Sequence, residues 1–182
     1  MDPVITNIIC ICMALLFGVA VAHKLRAPAA FKAAIDDYQL TPPVLSWLVA
    51  GGLIALELAG SVLVLIPIAH TTGLVLLAML LLVYSAGISI NLLKGRHDID
   101  CGCNGPAARQ VISGWLVFRN MVFLGLVLFA ALPGGQLTAV RQLNWLDLLV
   151  ILLAVPVASG LYLALNQLLA QAPRLDALAN GS

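Results

Sequence analysis

Charge is what this sequence has least of. Of its 182 residues, 9% are charged, where a soluble domain carries about a quarter. So small a polar surface cannot cover a globule in water, which excludes an ordinary soluble fold. A formal net charge of +1 argues against a nucleic-acid surface or a strongly acidic partner. No run of short alternating segments of about ten residues is present, so a β-barrel is not expected. Internal repeats and low-complexity tracts are also missing. No basic residue precedes the first apolar run, and no cleavage site follows it, so that run reads as a retained first span rather than a signal peptide.

What remains is apolar: 62% of the chain is hydrophobic and the mean hydropathy is +1.07. A membrane-spanning helix needs roughly 20 mostly apolar residues. Five stretches qualify: 4–22, 44–68, 72–93, 111–132 and 145–169. The expected fold is all-α, a multi-pass transmembrane bundle in one integral membrane domain over 1–171, with a flexible tail at 172–182. Trp47, Trp115 and Trp145 fall near span starts, where an interfacial aromatic belt places them. The first connection contains a short amphipathic stretch, 28–40, expected to lie along the interface and end before Pro42-Pro43. The second connection is a tight turn around His70-Thr71. Lys24, Arg26, Lys32, Lys94, Arg96 and Arg109 all lie on the first and third connections, against Arg141 on the other side. The positive-inside rule then places those connections in the cytoplasm.

Two sulfurs one residue apart, Cys101 and Cys103, sit in a glycine-rich connection with Gly102 between them and Asn104-Gly105-Pro106 after them. Gly102 and Gly105 give the backbone the freedom that a small disulfide ring needs. Strain would make such a disulfide labile. Arg96, His97 and Arg109 are near in sequence and favour a thiolate, while Asp98 and Asp100 oppose it. His97 is a candidate proton acceptor for the thiol, or a solvated loop histidine. The bland alternative for the cysteine pair is a structural role. Without a second C-x-x-C or an H-x-x-x-H, a closed zinc site is not expected. Cys10 and Cys12 form another C-x-C, but about 200° apart on a helix they cannot bridge each other and read as packing residues.

Intramembrane charges face a bundle interior, normally paired. Glu57 lies roughly 20 Å and Arg119 roughly 12 Å from the same membrane face, so a Glu57–Arg119 pair is expected, made directly or through water or a polar residue, with Asn120, Asn91, Ser89, Ser85 and Tyr84 extending a polar interior. His23-Lys24, at the end of the first span, reads as an ordinary interfacial cation cluster.

Together HKLRAPAAFKAAIDDYQLTPP, LELAGS, DIDCGCNGP and the Arg119-Asn120 pair resemble the MauE family of methylamine utilisation proteins, relatives of the DoxX membrane proteins. The resemblance runs from the first span through the fourth. Where the family pattern has an aromatic residue after the second cysteine, this chain has Asn104. The resemblance implies a DoxX-like four-helix core plus one C-terminal helix in the bacterial inner membrane. It also implies a maturation role for methylamine dehydrogenase, in which Cys101 and Cys103 exchange disulfides with a thioredoxin-like partner. Glu57, Arg119, His23 and Lys24 would be motif positions of supporting role. The second redox partner would be a quinone or another thiol, and no quinone motif selects between them. The charge count puts the cysteine loop in the cytoplasm, whereas the implied client matures outside. Two other classes compete: a soft-metal thiolate binder or transporter for Cu, Hg or Zn, disfavoured by only four Met and three His, and a non-catalytic membrane scaffold packing through Gly51-Gly52, Gly60 and Ser61.

Overall fold

Long apolar runs with few charges and no barrel-like alternation satisfy their backbone in lipid by coiling. The computed structural model describes residues 3–102, 110–132 and 144–179, and those residues are helical almost throughout. Six helices follow in order: α1 (Pro3–Arg26), α2 (Pro28–Tyr38), α3 (Ser46–Leu63), α4 (His70–Leu93), α5 (Gly114–Ala131) and α6 (Trp145–Ala179). Five of them, all but α2, are long and apolar enough to cross a membrane. The chain is an all-α multi-pass membrane protein.

Element ends depart from the apolar runs where local chemistry intervenes. Helix α1 runs on past Ala22 through His23-Lys24 to Arg26. Helix α2 stops at Tyr38, short of the prolines, because Gln39 takes a left-handed backbone with φ 50° and its N–H bonds back to the Asp36 carbonyl. Helix α3 ends at Leu63 rather than Ile68. The tight turn therefore occupies Val64 to Ala69, where Pro67 cannot continue a helix, and His70 already belongs to α4. Helix α6 passes through Pro156 and continues to Ala179, into the segment expected as a tail; Ala, Leu and Arg there are strong helix formers. Two local side-chain bonds cap its start. The Asn144 side chain accepts from the Trp145 N–H at 2.8 Å, and the Asp147 carboxylate accepts from the Asn144 N–H at 2.8 Å.

Residues 1–141 and 142–182 form two separate units. In the first, α3 packs against α1, α2 and α4, while α5 packs against α4 and α1. Its main core joins Cys10, Met13 and Phe17 of α1 to Leu74, Leu77 and Leu81 of α4 and Val127 of α5. The outward faces stay apolar, with Leu48, Val62, Met79 and Phe118 all exposed, as lipid-facing surfaces are. Asp36 fastens α2 to the start of α3. Its carboxylate accepts from Lys32 Nζ at 2.5 Å and from Ser46 Oγ at 2.5 Å.

Candidate functional site

The end of α4 builds the cysteine connection. Gly95, at φ 73°, takes the left-handed position that glycine tolerates best. Its N–H reaches the Leu92 carbonyl at 3.0 Å, and the Arg96 N–H reaches the Asn91 carbonyl at 3.0 Å. These two bonds form a Schellman termination. The Arg96 side chain then donates to Gln39 Oε1, tying the connection to the end of α2. Next, Asp100 pairs antiparallel with Val111. The Cys101 N–H donates to the Gln110 carbonyl at 2.8 Å and the Ile112 N–H to the Ile99 carbonyl at 2.9 Å. The Asp100 carboxylate closes the ribbon from within, accepting from the Gly102 N–H at 3.1 Å and the Gln110 N–H at 3.4 Å.

Cys101 is thereby held against the bundle, 7% exposed, in a cluster with Ile88 of α4, Ile112 just before α5 and Leu116 in its first turn. Gly102 has φ 73° and lies against α2: a Cβ there would stand 3.2 Å from Ala34 Cβ and 3.3 Å from the Phe31 ring. Any side chain at 102 would meet backbone strain and a tight contact with α2. Cys103, Gly105 and Arg109 lie outside the described residues, as does Arg141.

Beside the Gly102 turn the bundle opens into a cavity of about 280 Å³, whose walls include His23, Lys24, Phe31, Asp37, Asp100 and Gly102. Behind its Lys24 wall is a buried polar centre. Lys24 Nζ contacts Glu57 Oε1 at 2.5 Å, with both side chains 1% exposed. It also donates to Tyr84 Oη at 3.0 Å, and Tyr84 Oη donates to the same Glu57 oxygen at 2.5 Å. The ammonium sits 4.5 Å from the Phe31 ring centroid and 4.9 Å from that of Tyr84, within cation–π range. Glu57 Oε2 is buried without a hydrogen-bond partner.

This centre corrects two expectations. Glu57 pairs with Lys24, not with Arg119. Helix α3 packs on α1 and α4, so Glu57 looks toward those helices, while Arg119 Nη2 approaches the neighbouring Asn120 Oδ1 at 3.5 Å on α5. Lys24, read as an interfacial cation, turns inward and is among the most buried side chains in the chain. His23 is half-buried on the cavity wall, Asn120 is buried, and His97 is exposed on the connection. Sequence reasoning missed Phe31 as the contact between Lys24 and Gly102; its place on the buried face of an amphipathic α2 was the available signal. Among the described residues no group of three or more His, Cys, Asp or Glu is placed to hold a metal ion.

A cysteine turn seated on α2, beside an ion pair drawn from α1 and α3, uses the segments that the sequence motifs span. Comparison with known proteins covers the same stretch. The profile described as Methylamine utilisation protein MauE matches residues 2–133. The chain is 38% identical to the methylamine utilization protein MauE of Paracoccus denitrificans over 71% of its length and 70% of the relative's. It is 33% identical to that of Paracoccus versutus, over 86% and 82%, and 30% identical to that of Methylophilus methylotrophus, over 71% and 69%. No solved structure matches the chain. The matched residues take in the Lys24–Glu57–Tyr84 centre, the cavity beside it and the Cys-Gly-Cys turn alike, and this chain belongs to the family of the methylamine utilisation protein MauE.

Proposed function

We propose that this protein of methylamine utilisation is a thiol–disulfide exchanger of the inner membrane. Its Cys101-Gly102-Cys103 turn trades a disulfide with a thioredoxin-like partner during maturation of a client such as methylamine dehydrogenase. One observation carries the reading: the two neighbours of Cys101, Asp100 and Gly102, line an open cavity at the end of the bundle, so the turn stands where a partner's thiol can arrive. The chemistry is two-step. A partner thiolate attacks one sulfur of the Cys101–Cys103 disulfide, forming a mixed disulfide and displacing the other sulfur as a thiolate. The partner's second thiolate then breaks the mixed disulfide. The partner dithiol loses two electrons and two protons, and the loop gains both. A membrane quinone or a further thiol–disulfide couple takes them on. By its charge count, the turn belongs on the cytoplasmic side.

Differential thiol labelling of Cys101 and Cys103 from each face of sealed vesicles, before and after reduction, tests redox state and sidedness together. Both cysteines are expected to label only after reduction, and from one face. Full exchange activity of Cys101→Ser with a thioredoxin-like partner would refute the mechanism.

A further inference from the structure

A proline keeps the residue before it out of the helical backbone region, so Pro28 ends α1 and leaves Ala27 as the single joint to α2. The chain turns a corner there, and Lys24 and Phe31 meet across it. Lys24 Nζ lies 4.5 Å from the centre of the Phe31 ring. Two of its N–H groups go to Glu57 and Tyr84, which draw the ammonium inward and keep it from reaching out to headgroups. Lys24 is 2% exposed and Phe31 6%, and cation–π attraction strengthens as both groups lose solvent. The same ring carries the cysteine turn. A Cβ on Gly102 would stand 3.3 Å from it, so the backbone of the turn rests on Phe31. The Gly102 N–H is bonded to Asp100, and Cys101 between them holds the Gln110 carbonyl with its own N–H. Contacts thus run unbroken from a carboxylate inside the bundle, through Lys24, Phe31 and Gly102, to the backbone of Cys101.

We infer that the Lys24–Glu57–Tyr84 centre positions the cysteine turn, with Phe31 as the connecting piece. Glu57 and Tyr84 fix the ammonium, the ammonium fixes the ring, and the ring seats Gly102. Lys24 and Phe31 are positioning residues, and neither takes electrons or protons in the exchange. This rests on the exchange reading above and adds what holds the turn still for it. A turn held in one posture meets a partner's thiol in a productive geometry. A loosened turn admits small reagents more freely, yet offers a protein partner many postures, few of them productive.

Two rates should therefore move in opposite directions. The reduced full chain in detergent is pulsed with N-ethylmaleimide, and mass spectrometry reports Cys101 and Cys10 separately. Exchange is followed as oxidation of reduced thioredoxin by the oxidised chain. Phe31→Leu should speed Cys101 labelling about tenfold, inside the roughly thirtyfold equilibrium factor of a desolvated cation–π contact, and should slow exchange. Cys10, 1% exposed in the main core, should stay unlabelled, which a general loss of packing would not allow. Phe31→Tyr keeps the ring and should keep both rates near those of the unchanged chain. The paired change Lys24→Leu with Glu57→Leu strands no charge and should match Phe31→Leu. Adding Phe31→Leu to that pair should change nothing further. Effects that multiply in the combined variant overturn the connection. So do Cys101 labelling unmoved by Phe31→Leu, a Phe31→Tyr as fast as Phe31→Leu, or Cys10 labelled alongside Cys101. In each of those cases the exchange reading stands as long as the unchanged chain oxidises thioredoxin. Should the unchanged chain fail to do so while the labelling pattern holds, the exchange reading falls, and the role in exchange falls with it.

Discussion

Removing one member of the Lys24–Glu57 pair should cost far more than removing both. At the observed 2.5 Å and an effective dielectric of 20, two unit charges attract by roughly 7 kcal/mol. Withdrawing two ions from water costs several kcal/mol each, so the pair's net worth is small. Its members, however, are not separable. Lys24→Met leaves a buried carboxylate with only the Tyr84 hydroxyl to compensate it. Glu57→Leu leaves an ammonium facing two aromatic rings, one of them the Tyr84 phenol. Each single change is expected to destabilise by about 3–5 kcal/mol. The double change, Lys24→Met with Glu57→Leu, removes both charges and should cost less than either alone. Steric-trap unfolding in bicelles, run on the four proteins of the cycle, gives the coupling energy directly. Single costs that add to the double cost within about 0.5 kcal/mol would show that the two charges do not meet, and would refute the buried centre.

Gly102→Ala places an L-residue at φ 73°, at a cost of about 1–2 kcal/mol, with a methyl 3.2 Å from Ala34. The turn should lift off α2, and Cys101 labelling should accelerate in hydrogen–deuterium-matched samples that keep the helical core protected; unchanged labelling would contradict the seating. Hydrogen bonds from Lys32 and then Ser46 hold the Asp36 carboxyl below its ordinary value. A depressed folded-state pKa stabilises above the unfolded value of about 3.9 and loses that contribution as pH falls through the folded one. Trp47 fluorescence, reporting the α2–α3 junction, should therefore change below about pH 4. Asp36→Asn should abolish that acid transition, and its persistence would move the cause elsewhere.

The helical class was legible because it follows from a bulk property: there is too little charge to meet water, so every backbone polar group must be satisfied inside a span. The Cys101-Gly102 turn was legible for a local reason, since its demands on φ fall on residues that adjoin in sequence. The partner of Glu57 was not. Lys24 and Arg119 are both long cations within axial reach of it, and depth along a helix axis does not distinguish them. The choice is made by which helices neighbour α3, a property of the assembled bundle. Lys24 misled for a related reason. A lysine at a helix end next to a basic cluster has the same local pattern whether it reaches outward to headgroups or inward to a carboxylate 33 residues away. The end of α3 was misread because Leu65, Ile66 and Ile68 are as apolar as a span, while Pro67 among them decides the backbone.

The burial of Lys24 also constrains how the protein is made. Helix α1 leaves the ribosome before α3, so for a time Lys24 has no counter-charge, and its ammonium stays with the lipid headgroups. It can turn inward only when Glu57 arrives on the later span and Tyr84 on the one after. The first helix is thus threaded in one posture and finished in another, and completion of the first three spans is recorded in the swing of a single side chain.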